Sequence, residues 1–230
     1  MVISGDLPGR AEAETPASVW LTEADIGGSL IARGTQILPA TGRALHADRI
    51  RLAGNIRLLD GFRATGEVRL LAMRLNGSLD LIAAEFEPAD GRALDLSEST
   101  IGGSVFLLNS PNTGRRCRVR GRIEIGHSTI QGEFFIRNAD LTAPPAGRGV
   151  HFYNVASATN RIFLLAPRLS VHGTLRIEGE TVVRGGILLP GAHLGGEVKL
   201  AGALWNGSKR STGAARRSGT RRPGSRGWHG

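Results

Sequence analysis

The chain has 230 residues, a formal net charge of +9, 33 glycines and few aromatic side chains. Its single cysteine excludes an internal disulfide and any zinc site built on several cysteines, and no apolar run approaches the roughly 20 residues that span a bilayer. A lone thiol and an N-terminus without a basic segment followed by an apolar run favour a cytoplasmic location, with peripheral attachment to a membrane as the alternative.

Residues 1–16 contain two prolines and mixed charge without periodicity. We interpret them as a flexible lead-in or a cap over the first open edge of the domain that follows, because an uncovered edge strand exposes unpaired backbone groups.

From residue 17 to residue 205 one module recurs ten times, as in LNGSLDL at 75–81. Two apolar residues follow each module glycine, separated by one residue that is often charged, so side chains alternate inward and outward with the period of a strand. The module glycines are Gly28, Gly54, Gly66, Gly77, Gly103, Gly121, Gly132, Gly173, Gly185 and Gly196.

The spacing of the modules predicts an all-β fold, a single-stranded parallel β-helix with coils of about 22–25 residues. Three long units, 42–90, 91–146 and 147–205, begin with Gly-Arg and hold two coils each, and residues 17–41 match the closing half of a unit. A coil with three long sides, a β-propeller and a β-sandwich are the alternatives, but the module lacks the Asn-Gly or Asp-Gly signal of a hairpin.

The module glycine is expected at a sharp bend that needs a positive φ. Asn160 occupies the equivalent position in unit 147–205, and asparagine tolerates that conformation next best.

Two insertions interrupt the register. Residues 109–121 carry four arginines and Cys117, and we interpret Cys117 as a surface-loop residue, with a reactive low-pKa thiol as the alternative. Residues 142–147 are too proline-rich for a strand.

Three glutamates, Glu67, Glu133 and Glu197, follow module glycines and are the only recurring carboxylates that could serve acid–base catalysis. Recurrence at equivalent corners favours solvated structural positions instead. The six histidines lack metal-ligand spacing, and we expect them at the surface. They are His46, His127, His151, His172, His193 and His229. We therefore predict no catalytic, metal or cofactor-binding residues.

Residues 206–230 lack apolar periodicity and are predicted to be a disordered basic tail. Residues 201–230 hold seven cations and no acid, so 9 − 7 leaves a charge of +2 for the first 200 residues. The tail is the candidate site for non-specific contact with nucleic acid or anionic lipid. Its cations are Lys209, Arg210, Arg216, Arg217, Arg221, Arg222 and Arg226.

Residues 42–86, GRALHADRIRLAGNIRLLDGFRATGEVRLLAMRLNGSLDLIAAEF, resemble the repeat of a group of high-GC bacterial proteins whose repeats run GRAL-x-A, GF-x-A-x-GEVRLL and IGG-x-LDL. The resemblance is close over 42–108 and looser to residue 200. Such proteins are often labelled hypothetical or membrane-associated oxidoreductase, although this chain carries no nucleotide-binding motif. A weaker similarity, of architecture alone, is to bactofilins.

The uniform repeat predicts a non-enzymatic structural or interaction scaffold with a protein partner or with self-association. The alternatives are a carbohydrate-active or carbohydrate-binding rod, with a groove between the loops at 109–121 and 142–147, and attachment to membranes or polyanions through the tail.

Overall fold

The computed structural model describes residues 17–39, 42–89, 91–145 and 161–206, and every regular element in them is a β-strand. The strands form a β-solenoid of seven coils with four short strands each. This confirms the predicted all-β parallel solenoid. The lead-in at 1–16 and the tail from residue 207 lie outside the described residues, as do the seven tail cations and Asn160.

The bounds of the strands are as follows. Coil 1 contains β1 (Ala17–Trp20), β2 (Asp25–Ile26), β3 (Leu30–Arg33) and β4 (Gln36–Ile37). Coil 2 contains β5 (Arg43–His46), β6 (Arg51–Leu52), β7 (Ile56–Leu59) and β8 (Arg63–Ala64). Coil 3 contains β9 (Glu67–Arg69), β10 (Arg74–Leu75), β11 (Leu79–Ile82) and β12 (Glu85–Phe86). Coil 4 contains β13 (Arg92–Asp95), β14 (Thr100–Ile101), β15 (Val105–Leu108) and β16 (Arg118–Arg120).

The last three coils repeat the same order. Coil 5 contains β17 (Arg122–Glu124), β18 (Thr129–Ile130), β19 (Phe134–Arg137) and β20 (Asp140–Thr142). Coil 6 contains β21 (Ile162–Leu165), β22 (Ser170–Val171), β23 (Leu175–Glu178) and β24 (Val182–Arg184). Coil 7 contains β25 (Gly186–Leu188), β26 (His193–Leu194), β27 (Val198–Ala201) and β28 (Leu204–Trp205).

Stacking of the coils produces four parallel sheets of seven strands. Sheet A consists of every fourth strand from β1, and sheets B, C and D are built in the same way from β2, β3 and β4. Each strand pairs with the equivalent strands of the coils before and after it, so β1 to β4 and β25 to β28 are the open edges.

The coil length agrees with the prediction except at the two insertions. Successive coils begin at residues 17, 43, 67, 92, 122, 162 and 186, which gives intervals of 26, 24, 25, 30, 40 and 24 residues. The two long intervals contain residues 109–117 and 143–161. Sheet C nevertheless stays in register across both, with Val105 opposite Phe134 and Phe134 opposite Leu175, so the added residues do not interrupt the stacking of its strands.

The apolar residues of the modules face the interior, as predicted. In sheet C, Leu79 pairs with Ile56 and Val105, while Leu81 pairs with Leu58 and Leu107, and all six are at most 1% exposed. The same inward alignment runs through sheet A, where Val68 pairs with Leu45 and Leu94. One continuous apolar column therefore fills the rod from coil to coil and stabilises it.

The prediction that the module glycine supplies a positive φ is wrong for all seven glycines that precede sheet C. None has φ in the left-handed region. Glycine is required there because the coils approach closely: a Cβ on Gly54 would lie 2.8 Å from the carbonyl oxygen of Gly28, and one on Gly77 would lie 2.5 Å from that of Gly54. These glycines stack directly on one another, with Gly77 N donating to Gly54 O at 3.0 Å.

The positive φ angles occur at other corners. Two module glycines before sheet A, Gly121 and Gly185, have the predicted positive φ. Left-handed residues also occur between sheets C and D, as at Asp60 and Ala83, and between sheets A and B, where most of them are not glycine. The turns between sheets A and B of successive coils are joined by backbone hydrogen bonds such as Arg49 N to Leu71 O and Ala72 N to Ser97 O. In the first six coils the left-handed residue of this turn is Glu23, Arg49, Ala72, Glu98, His127 or Arg168.

Candidate functional site

The three glutamates considered for acid–base catalysis are not brought together. Glu67 lies on sheet A and is 4% exposed, whereas Glu133 and Glu197 precede strands of sheet C in coils 5 and 7. Two strand spacings, roughly 10 Å, separate the latter pair along the rod. Each faces a cation: Glu133 lies 3.6 Å from Arg176. The carboxylates act as ion-pair partners along the wall.

The densest group of charges lies on the outer side of sheet A. This sheet A ion-pair cluster comprises Arg43, Glu67, Arg92, Asp95, Arg122 and Glu124. Arg92 is at its centre, with Glu67 at 3.2 Å, Asp95 at 3.3 Å and Glu124 at 3.4 Å. Burial lowers the pKa of Arg92, but the surrounding carboxylates raise it by more, so its pKa lies above the usual arginine value.

This cluster joins coils rather than holding a ligand. Arg43 in coil 2 contacts Glu67 in coil 3, and Arg92 in coil 4 contacts Glu124 in coil 5. The arrangement therefore stabilises the stacking of neighbouring coils.

The histidines separate into two groups. His127, His172 and His193 are exposed, as expected. The expectation was wrong for His46, which is 8% exposed because the Trp20 ring of coil 1 lies 4.5 Å from its own ring. Its Nε2 atom lies 3.1 Å from Asp48. His151 and His229 lie outside the described residues. Within the described ranges, no group of three or more His, Cys, Asp and Glu side chains could hold a metal ion.

The first insertion runs along the corner between sheets C and D. Arg115 contacts Glu85 of coil 3 at 3.2 Å, whereas Arg116 contacts Asp140 of coil 5 at 3.3 Å and donates to the carbonyl of Glu180 in coil 6 at 2.8 Å. The insertion is thus a clamp across four coils. Its partners could not be predicted from the sequence because they lie 24 to 64 residues away.

Cys117 is fully buried, which corrects its assignment to a surface loop. It immediately precedes strand β16 and belongs to the apolar core. Burial raises the pKa of its thiol to about 12. A reactive thiolate at neutral pH, the other interpretation of this residue, is therefore excluded in the folded chain.

Titration of Cys117 gives a testable pH dependence. The thiol of the unfolded chain ionises near its ordinary pKa, about 8.5, whereas the folded state keeps the proton up to about pH 12. Above the ordinary pKa the unfolded state binds fewer protons, so the free energy of unfolding should fall as pH rises, by up to about 1.4 kcal/mol per pH unit.

Urea unfolding at several alkaline pH values measures this slope, and Cys117→Ala is the control. Other groups titrate in both proteins, so the expected result is a shallower alkaline decline in the variant. Equal slopes, or modification of Cys117 by a thiol reagent at pH 8 before unfolding, would show that the thiol is accessible.

The second insertion borders a shallow cavity of about 370 Å³ on the outer wall between sheets D and A. Its lining is Pro88, Ala89, Gly91, Arg120, Thr142, Ala143, Pro144, Pro145 and Arg161. Arg120 is paired with Glu87 at 2.8 Å, and Arg161 Nε lies 3.4 Å from the carbonyl of Pro144. Of the insertion at 109–121 only Arg120 reaches this cavity, whose wall otherwise comes from residues 88–91, 142–145 and 161.

The two ends of the rod differ from its wall. Inward side chains of coil 7 are uncovered: Val198 is 53% exposed, Leu200 56% and Trp205 38%. At the other end, Trp20 is 42% exposed. Equivalent inward positions in coils 2 to 6 are buried. The ends are therefore where apolar side chains and unpaired strand edges occur together.

These features define the protein as a β-solenoid repeat protein whose polar groups pair along its wall. No protein-family model, curated protein or solved structure matches the chain. The resemblance to the high-GC bacterial repeat proteins and to bactofilins therefore stays a prediction. None of the described segments forms a helix of the length and apolarity needed to cross a membrane.

Proposed function

We propose that the protein is a rigid, non-enzymatic scaffold, a rod that holds other molecules at fixed positions along its length. The observation that supports this most is the uninterrupted apolar column. One insertion lies inside coil 4, between β15 and β16, and the other between coils 5 and 6, yet the pairing of Val105, Phe134 and Leu175 continues across both. The stacked core is therefore continuous even where insertions change the length of a coil. Such a continuous core suits a spacer or a platform.

The wall adds to this stiffness. The clamp formed by residues 109–116 connects coils 3 to 6, and the sheet A ion-pair cluster connects coils 2 to 5. On the outer face of sheet C, Phe135 is 9% exposed beneath the guanidinium of Arg176, whose carbon lies 4.3 Å from the ring centroid. Contacts of this kind cross the boundary between coils and resist bending.

A spin-label distance measurement tests rigidity directly. Ile31 and Lys199 occupy the same outward column of sheet C, in coils 1 and 7. Cysteines at these two positions should be separated by six strand spacings, about 29 Å at the strand positions. Buried Cys117 should not take up label, and dilution with unlabelled protein removes distances between molecules. A single narrow distribution is expected.

A matched pair checks the geometry. Arg57 lies in the same column in coil 2, so labels at Arg57 and Lys199 should give a distance shorter by one coil, about 4.8 Å. A broad distribution for either pair would contradict a rigid scaffold. Equal mean distances for both pairs would contradict the stacking itself.

A further inference from the structure

Inside the rod, each coil is covered on both sides by a neighbouring coil. Within the described residues, each of the two end coils has one side that no coil covers. Strands β25 to β28 have no following strand and β1 to β4 have no preceding one within the described residues. In coil 7 the inward side chains of Val198, Leu200 and Trp205 are 53%, 56% and 38% exposed. Each end thus combines four open strand edges with an uncovered apolar centre.

Glycine residues at the first coil point to what covers that end. The residue two positions before each sheet C strand is glycine in coils 2 to 7, because the coil before it leaves no room for a Cβ: one on Gly103 would lie 2.9 Å from Gly77 O, and one on Gly196 would lie 2.7 Å from Gly173 O. Gly28 occupies the same position in coil 1, yet a Cβ on it would meet nothing within 4 Å, and it does not have a positive φ. Nothing within the described part of the chain requires glycine there.

We infer that the C-terminal coil of one copy of this chain binds the N-terminal coil of the next copy, head to tail. The inference rests on the proposed scaffold function and names its partner as a second copy. Strand β27 would pair with β3 of the next copy in the register already used between β23 and β27. Gly28 would then stack on Gly196 of the neighbouring copy. Glycine would be needed at position 28 for the same reason as in every later coil, because the backbone of the preceding coil leaves no room for a Cβ.

A junction of the same composition already exists inside the rod. At the proposed contact, Gly196 and Glu197 would meet Gly28 and Ser29 of the next copy. Between coils 5 and 6, Gly132 and Glu133 meet Gly173 and Thr174 in the same way, with Gly173 N donating to Gly132 O at 3.0 Å. The rod therefore already contains a Gly-Glu corner stacked against a Gly-Thr corner, and the proposed contact differs from it only in having serine in place of threonine.

Sheet A shows the same continuity. Three-residue strands are followed by four-residue strands at two places inside the rod, from β9 to β13 and from β17 to β21. The last strand, β25, has three residues and the first, β1, has four. Head-to-tail stacking would again place a four-residue strand after a three-residue strand, with Ile187 opposite Val19 of the next copy.

The remaining sheets place compatible side chains opposite one another. In sheet B, His193 would face Asp25 of the next copy, a pair that can form a hydrogen bond or an ion pair. In sheet D, Trp205 would cover Ile37. In sheet C, Lys199 would face Ile31, so no two like charges stand directly opposite each other in these three columns.

Two variants block one end each. Gly28→Ala places a methyl group where the neighbouring copy's glycine carbonyl would lie, and Leu200→Lys places a charge in the apolar contact. Both sites are open in the single chain, so neither variant should lower the free energy of unfolding of the dilute protein. We expect the full chain to form species larger than a dimer in sedimentation velocity as its concentration rises, since head-to-tail contacts do not close. Each variant should weaken association at least about tenfold, equivalent to about 1.4 kcal/mol.

Mixing the two variants tests the polarity of the contact. The Gly28→Ala chain keeps an intact C-terminal end and the Leu200→Lys chain an intact N-terminal end, so the mixture should form dimers and nothing larger, while each variant alone stays monomeric. Lys199→Ala, on the outward side of the same strand, is the control and should associate like the unchanged chain.

A full chain that stays monomeric at all concentrations would overturn the inference, including the case in which residues 1–16 cover the first coil. A variant that dimerises by itself would overturn it too, because contacts between like ends would then be responsible. Neither result would affect the scaffold proposal, which depends on the spin-label distances within one chain.

Discussion

Leu81→Asp is expected to lower the free energy of unfolding by more than about 5 kcal/mol. Leu81 is fully buried in the middle of the apolar column, between Leu58 and Leu107. The substitution loses about 1.5–3 kcal/mol of apolar burial and adds an unpaired carboxylate, whose burial costs several kcal/mol more. Since each coil contacts only its neighbours, a defect in coil 3 should separate coils 1 and 2 from coils 4 to 7.

The neighbouring residue on the same strand gives the matched control. Asp80 points outward and pairs with Arg57 at 3.1 Å, so Asp80→Ala should cost about 1 kcal/mol or less. Urea unfolding measures both effects, and limited proteolysis of the Leu81→Asp variant should cut first near coil 3. Similar stability losses for the two variants would contradict the division of the strand into a buried and a solvent-facing side.

The inner column could be predicted from the sequence because its signal is local. Alternation of apolar and charged residues after each glycine, as at Leu79, Asp80 and Leu81, is visible within one strand and needs no knowledge of the neighbouring coil. Repetition at nearly constant spacing then implies that equivalent strands stack. Both steps depend on period alone, which is why the parallel solenoid and its coil length followed without any coordinates.

The role of the module glycine was missed because its cause is not local. One module shows only that glycine recurs, and a positive φ is the usual reason. The actual reason, contact between the backbones of successive coils, appears only when Gly54 is placed on Gly28. Conversely, left-handed corners at Arg49 and Glu98 carry no glycine signal, because the turn tolerates ordinary residues at that position.

Some of the ion pairs on the wall could be predicted from the sequence. Aligning the coils puts Arg57 beside Asp80 and Arg43 beside Glu67, so charges of opposite sign meet at these positions. The burial of Cys117 could not be predicted, because the insertion before it breaks the spacing from which the start of strand β16 would be recognised. Only the structure shows that this cysteine continues the core.

Gly77→Ala is expected to lower the free energy of unfolding by about 3–5 kcal/mol. The new Cβ would lie 2.2 Å from Oδ1 of Asn55 and 2.5 Å from the carbonyl oxygen of Gly54. Coils 2 and 3 would have to move apart, which costs about 1–3 kcal/mol as overpacking. The movement also weakens two hydrogen bonds, Gly77 N to Gly54 O and Ser78 N to Asn55 Oδ1, each worth about 1 kcal/mol.

Gly28→Ala is the same chemical change at the equivalent position of coil 1, and it should have the opposite sign. Its Cβ meets nothing within 4 Å and its φ is an ordinary one. Alanine there restricts the unfolded chain, which stabilises the fold by about 0.4–1 kcal/mol. Urea unfolding at low protein concentration, where copies do not associate, compares the two variants. A large loss in both would mean that conformational freedom at glycine, and not the approach of the preceding coil, governs the module. A large loss in Gly77→Ala alone would establish that each coil is held at backbone distance from the one before it.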